Sequence, residues 1–246
     1  MSVLALKLAS FFEPDPYMTS MLSDSIRCVA FDAVGTVIYP TPSVSQVYAD
    51  IASRHGSKLS EAEIQSRFGT AMSVFDEDSA ANDFQTSEQR ETELWREVVG
   101  RVLTDVESAD ACFDELFDWF GRVEAWAVFP DVAATLAGIR ERHLTLAIAS
   151  NFDSRLHAVC DGWAELADIR IRVVSSEVGY RKPSAGYYNR LAQACGCQPA
   201  EILMIGDTPA NDVEGATAIG MPAVLIDRTR DAALPGRIGS LTQILD

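Results

Sequence analysis

Three polar residues close short apolar runs along this 246-residue chain, and each is of a type that can take part in group transfer. Asp32 follows Cys28-Val29-Ala30-Phe31, Ser150 follows Leu144 to Ala149, and Asp207 follows Ile202 to Ile205 after one glycine. In an open α/β sheet, ligands bind beyond the carboxyl ends of the strands, so chemistry is expected at these positions. Asp and Ser also cap helices after strands, which accounts for any one of the three. It accounts for the set less well, because Asp32 opens the tight turn Asp32-Ala33-Val34-Gly35-Thr36. Capping also gives no reason for Lys182 in the loop Gly179-Tyr180-Arg181-Lys182-Pro183.

The chemistry these types suggest is attack by a carboxylate, which takes a phosphoryl or alkyl group into a covalent intermediate. A carboxylate and a phosphate repel each other, so cations must stand by: a lysine, a Mg²⁺ ion, or both. Mg²⁺ takes oxygen ligands, a few of them carboxylates. Asp32 and Asp207 offer two, and Asp212 a third; the plainer reading of Asp212 is a carboxylate at a helix N-terminus. Ser150 and its neighbouring amides suit a phosphoryl oxygen.

The elements that would position these residues follow from periodicity. Short apolar runs at Cys28–Phe31, Leu144–Ala149, Ile169–Val174, Ile202–Ile205 and Ala223–Ile226 read as buried parallel strands. Helical patterns lie between them, after Pro130 to about Arg142, over Phe152–Ala167, Gly186–Ala194 and Asn211–Ile219. From Ser43 to about Trp126 only helical signals appear, with capping-box spacing at Ser60–Glu63 and Thr86–Gln89. The predicted fold class is α/β: a Rossmann-like doubly wound parallel sheet with an inserted all-helical cap. The expected division is an N-terminal extension over 1–25, a core over 26–42 and 127–246, and a cap over 43–126. The aromatics at helical spacing, Trp95 and Trp126 among them, are expected to pack the cap and its contact with the core. His55, His143 and His157 are expected at surfaces or helix ends, and Arg181 is left between a substrate anion and solvent.

Composition sets the outer limits. Lys plus Arg number 20 and Asp plus Glu 36, a net charge of -16 that counts against nucleic-acid backbones and anionic membranes as partners. No apolar run approaches the roughly 18 residues that span a bilayer. Five cysteines without repeated spacing suggest reduced, packing thiols and a cytoplasmic location. A targeting segment at Met1–Phe12 fits poorly, since Lys7 interrupts it and no small-residue cleavage site follows; a start at Met18 or Met21 fits as well.

At four places the chain resembles the haloacid dehalogenase (HAD) superfamily: Asp32-Ala33-Val34-Gly35-Thr36, Ala149-Ser150-Asn151, Arg181-Lys182-Pro183, and Gly206-Asp207 with Asn211-Asp212. The four stand in that family's order, and the insert after the first resembles the helical cap of subfamily I. The run Ser150 to Leu156 with Val178 to Pro183 is similar to the HAD-like hydrolase domain-containing branch. The resemblance implies Asp32 as nucleophile, Ser150 and Lys182 as catalytic partners, and Gly35, Thr36 and Asn151 around the substrate. It implies Mg²⁺ held by Asp32, the Val34 carbonyl, Asp207 and Asp212. One departure stands out. Phosphatases of the family carry a second Asp two residues after the nucleophile as acid and base, and here that residue is Val34. General acid–base help is typically worth about 10²–10⁴-fold. The expected function is therefore Mg²⁺-dependent hydrolysis of a small phosphorylated metabolite, better with good leaving groups. The alternatives are a metal-free 2-haloacid dehalogenase or a catalytically weak binding protein. A dehalogenase would want an Arg soon after the first motif, and the nearest, Arg54, falls in a helical run.

Overall fold

A computed structural model describes residues 21–229 and 236–246. It begins with β1 (Cys28–Phe31) and β2 (Ile38–Pro40), then four helices: α1 (Val44–Arg54), α2 (Glu61–Ala81), α3 (Glu88–Val102) and α4 (Ala109–Trp119). The chain returns through β3 (Trp126–Val128) and continues with α5 (Val132–Glu141), β4 (Thr145–Ser150), α6 (Arg155–Asp161), α7 (Ala164–Ala167) and β5 (Ile171–Val174). It ends with α8 (Ser175–Val178), α9 (Ala185–Cys195), β6 (Ile202–Gly206), a π-helical turn over Pro209–Glu214, α10 (Gly215–Thr217), β7 (Ala223–Ile226) and β8 (Arg237–Ile238). Six strands pair in the order β5-β4-β1-β6-β7-β8, every pair parallel.

The sheet is buried on both faces, which is why its strands read as unbroken apolar runs. Alternate residues serve opposite layers. Val29, Phe31, Ile148, Leu203 and Ile205 face the side of α5, α6 and the C-terminal turn. Cys28, Ala30, Ala147, Ala149 and Met204 face α9. The second face carries small residues because α9 lays the fully buried Tyr187 and Tyr188 against it. A third cluster, built from Tyr48, Ile51, Leu94, Val98, Phe113 and Leu116, is the helical domain's own core.

Several expectations are revised in detail. The run Phe152–Ala167 is two helices, α6 and α7, broken at Gly162, where an added Cβ would lie 2.2 Å from Val123 Cγ2. The segment before α6 stays open and lines the site. Asn211–Ile219 is mostly a π-helical turn followed by the short α10. Ser60 and Glu63 form the expected capping box, with reciprocal bonds of 3.4 and 2.9 Å. At α3 the cap is Ser87, accepting from Arg90 N, and Thr86 donates to Glu91 instead. Helix α5 starts two residues after Pro130. The paired strands β2 and β3, absent from the sequence reading, run antiparallel with Ile38 opposite Val128 and Pro40 opposite Trp126. Of the expected extension and early starts, residues 1–20, including Met18, lie outside the described residues, as does 230–235 of the core. Met21 and Leu22 pack on the sheet's first core layer. All five cysteines are free, and Cys28 meets Cys195 at 3.4 Å. Among the described residues no helix is long and apolar enough to cross a membrane.

Asp131 ties the chain's end to its beginning. Its carboxylate accepts from Arg228 at 3.0 Å, Ser240 Oγ at 2.9 Å and Leu241 N at 2.8 Å, while Arg228 also donates to Thr36 O. Burial opposes ionisation of Asp131, but Arg228 and the two donors outweigh it and hold the carboxyl below its usual value. A depressed folded-state pKa adds stability above the unfolded value, and that contribution is lost as pH falls through the folded one. Asp131→Asn should cost about 2 kcal/mol at pH 7, from charged hydrogen bonds made neutral. Urea unfolding should show the gap to wild type steady above about pH 5 and narrowing as pH falls below about 4, through the depressed folded-state value. A gap independent of pH would mean that the carboxylate's charge is not what holds the tail.

Candidate active site

Strand pairing alone puts the acidic residues together. β1 lies between β4 and β6, with Phe31 level with Ile148 and Ile205. Asp32, Ser150 and Asp207 therefore leave the sheet at one edge, and Asp32 N donates to Ile205 O at 2.8 Å. The π-helical turn after β6 brings in Asp212, whose Oδ2 accepts from Thr208 N at 2.9 Å. One carboxylate oxygen each from Asp32, Asp207 and Asp212 lies within 4.8 Å of the others. Asp32 and Asp212 are buried and Asp207 is exposed.

Lys182 enters from the loop before α9. Its ammonium donates to Asp32 Oδ1 at 2.7 Å, Asp212 Oδ1 at 2.6 Å and Ala149 O at 2.9 Å. Ser150 Oγ donates to the same Asp32 oxygen at 3.1 Å. Burial alone would lower the lysine's pKa, but Asp212 and Asp32 outweigh it and hold it well above the ordinary value. Burial raises Asp32; Lys182 pulls it back, Asp212 and Asp207 push it further, and it settles at about 7. Desolvation and the Asp212 charge also raise Asp207. One ammonium thus faces three carboxylates, an arrangement of oxygen donors with surplus negative charge that suits a divalent cation.

Close approach explains the glycines here. Gly35 has φ +87°, and a Cβ on it would sit 2.2 Å from Asp207 Oδ2. A Cβ on Gly206 would sit 2.1 Å from Asp212 Cγ. Thr36 and Asn151 are the other residues expected around a substrate. Thr36 is fully buried, and its hydroxyl finds no partner among the described residues. Asn151 spends both ends of its amide on Lys182, donating to its carbonyl at 3.0 Å and accepting from its N–H at 2.7 Å. It therefore fixes the lysine loop. Val34 borders the cavity beside the cluster. Arg54 pairs with Glu115 on the helical domain and does not line that cavity. His55 and His157 pair with Glu115 and Glu177, away from the carboxylates.

A second set of contacts was missed in the sequence: the turn between α2 and α3 grips the lysine loop. Arg181 N donates to Phe84 O at 2.8 Å and Thr86 N to Gly179 O at 3.1 Å. Arg181 is 9% exposed and borders the cavity between helices and core. Its guanidinium makes two bonds to Glu91, at 2.6 and 2.8 Å, and Glu91 is 1% exposed. Glu88 accepts from Ser154 N, Ser154 Oγ and Ser176 Oγ. Glu91 shares a helix face with Leu94 and Val98, and a carboxylate in an apolar stripe was the available signal. Between helices and core lies a cavity of about 300 Å³ whose walls include Trp95 and Trp126, so these two border a space as well as packing.

The sequence profile of the haloacid dehalogenase-like hydrolases matches residues 26–220. The haloacid dehalogenase-like hydrolase domain-containing protein 3 of Mus musculus is 26% identical over 206 residues, 82% of this chain and 82% of its own. The phosphoserine phosphatase of Thermus thermophilus is 32% identical over 132 residues, 51% of this chain and 53% of that one. A HAD phosphatase structure from Thermococcus onnurineus matches with TM-score 0.63 at 22% identity, covering 89% of this chain and 96% of that one. Solved L-2-haloacid dehalogenases share the same fold.

Two outcomes test the geometry. Lys182→Met strands two buried carboxylates and should cost about 3–5 kcal/mol in urea unfolding at pH 8. A loss below about 1 kcal/mol would show that the carboxylates are not held as charges. Glu91→Gln should speed hydrogen exchange at the Thr86 and Arg181 amides, with the amides of β1 and β6 unchanged. Unaltered exchange at both would mean that the ion pair does not hold the grip.

Proposed function

The chain belongs to the haloacid dehalogenase-like hydrolases, and on that premise we propose that it is a Mg²⁺-dependent phosphatase working through an aspartyl-phosphate on Asp32. The observation that carries this reading is the surplus of carboxylate in the site: Asp32, Asp207 and Asp212 converge where Lys182 alone cannot balance them. Relatives named as phosphatases, for phosphoserine and for glyceraldehyde 3-phosphate, support the same class. Asp32, Asp207, Asp212 and the Val34 carbonyl would hold the ion, which supplies positive charge for the transferring phosphoryl group.

The rest is done by side chains. Ser150 and Lys182 hold Asp32 Oδ1, which fixes the carboxylate in one orientation. Oδ2 accepts no hydrogen bond from the described residues, and in this reading it attacks phosphorus as the bond to the leaving oxygen breaks. Lys182 offsets charge on nucleophile and phosphate alike. Val34 has no proton to give, so the leaving oxygen takes its proton from water, and phenols leave more readily than alkanols. Water then attacks phosphorus of the aspartyl-phosphate, releasing inorganic phosphate and restoring Asp32. The helical domain lies over the site, excludes bulk water at the first step and selects the substrate. We place this activity in the cytoplasm, with a helical cap over 43–126 inserted into a core over 26–42 and 127–246.

A second reading, 2-haloacid dehalogenation, is favoured by one observation: Val34 stands where phosphatases keep their acid, and halide leaves without a proton. It gives no account of the acidic cluster. Hydrolysis of p-nitrophenyl phosphate separates the readings. Turnover should require Mg²⁺, stop with EDTA, and fall at least 10³-fold in Asp32→Asn. Chloride release from 2-chloropropionate in EDTA, without phosphatase activity, would overturn the proposal, and inertness toward both would leave a binding protein. Val34→Asp should raise hydrolysis of alkyl phosphates by about 10-fold or more. An unchanged or lower rate would refute the account of the missing acid.

A further inference from the structure

The cavity beside the acidic cluster reveals what the substrate's organic part is made of. It encloses about 300 Å³, with Val34 at the cluster and Tyr48, Phe68, Trp95 and Phe117 among its walls. Arg155, Arg181 and Asn151 also reach it, each already engaged by a neighbour, and the aromatic walls add the Tyr48 hydroxyl and the Trp95 and Trp126 indoles. Arg155 makes two bonds to Asp153, at 2.8 and 2.7 Å, and its guanidinium lies 3.4 Å over the Phe117 ring. Arg181 is paired with Glu91, and Asn151 with the backbone of Lys182. The two positive charges on the wall are therefore neutralised by carboxylates behind them. A second anionic group would have to displace one of those pairs. An ammonium would face guanidinium groups, and a sugar or glycerol group would leave most of its hydroxyls without a matching partner among walls that are mainly apolar.

We propose that the substrate's organic group is uncharged and apolar, of one or two rings or a medium alkyl chain, so the enzyme selects phosphate monoesters of hydrophobic alcohols or phenols. The inference rests on the phosphatase reading for the chemistry at Asp32 but reads the cavity separately. The volume lies at the lower end of small-ligand pockets, which sets the size. Burial of apolar surface sets the expected gain, roughly fourfold in affinity per methylene.

Phosphonates test this without any leaving group, because their C–P bond is not hydrolysed. Methyl-, propyl-, hexyl- and benzylphosphonate would be titrated into the Mg²⁺-containing protein by calorimetry, and as inhibitors of p-nitrophenyl phosphate hydrolysis. Affinity should rise by at least 50-fold from methyl to hexyl, with benzyl near hexyl. Two charged compounds, 2-aminoethylphosphonate (isosteric with propyl) and 2-carboxyethylphosphonate, should bind at least 10-fold more weakly than propyl. A flat series, or tighter binding of either charged compound, overturns the proposal. Met72→Trp and Val44→Phe, which fill the cavity from two different helices, should each reduce the propyl-to-hexyl gain to less than twofold, with folding checked by circular dichroism. A retained gain in both folded variants would place the alkyl chain elsewhere. If p-nitrophenyl phosphate is not turned over but the calorimetric series holds, the phosphatase reading fails and the cavity's selectivity stands. Turnover with a flat series gives the converse.

Discussion

A single ammonium buried among carboxylates sets the terms for the rest of this molecule. Removing like charges from water is unfavourable, and a buried ion pair is tolerated only where its geometry is well satisfied. Lys182 meets that condition with Asp32, Asp212 and a backbone carbonyl, while Asp207 stays exposed at the edge of the group. The neighbouring chain is shaped to permit this crowding. Gly35 and Gly206 are bare where any side chain would strike a carboxylate. The helix after β6 opens with a wide π turn that turns Asp212 toward the ammonium. The parallel order of the central strands provides the convergence, since β1 between β4 and β6 leaves Asp32, Ser150 and Asp207 at the same edge.

The same lysine is held from two directions. Asn151, just past β4, grips the backbone of residue 182, and the helical domain grips residues 179 and 181 immediately before it. The segment that carries the ammonium is therefore shared between core and cap. The bonds of the α2–α3 turn fall within three residues of Lys182 along the chain. Arg155 adds a third link, joining the core loop at Asp153 to Phe117 at the end of α4.

The sequence made the sheet legible because a strand buried on both faces has a plain signature, a short apolar run ending in a polar residue. Asp32, Ser150 and Asp207 were visible because each stands where such a run ends, Lys182 because it sits in a Pro-limited loop, and Asp212 as a further carboxylate suited to a metal. The grip of Glu88 and Glu91 was not visible. Those residues lie about 90 positions from their partners, and a Glu at a helix start is ordinarily read as a favourable dipole contact. The sequence position of Asn151 shows its adjacency to Ser150 but not that its amide also bonds the Lys182 backbone. At Gly162, where the run breaks, Val123 stands where a side chain would have to go, a proximity no local pattern contains. Strands β2 and β3 were hidden by their length, three residues each, and by the prolines around them.

Those two short strands bear on how the enzyme would let its product go. The chain passes between core and helices twice, and the crossings are bonded side by side: Thr41 N to Ala125 O, Phe129 N to Val37 O, and the ladder between them. A lid on one tether can swivel in any direction and must search for its closed position. A lid on a paired ribbon can bend across the plane of the ribbon but resists twisting within it. A ribbon of this kind confines any opening to a single arc, along which Glu91 would return to Arg181.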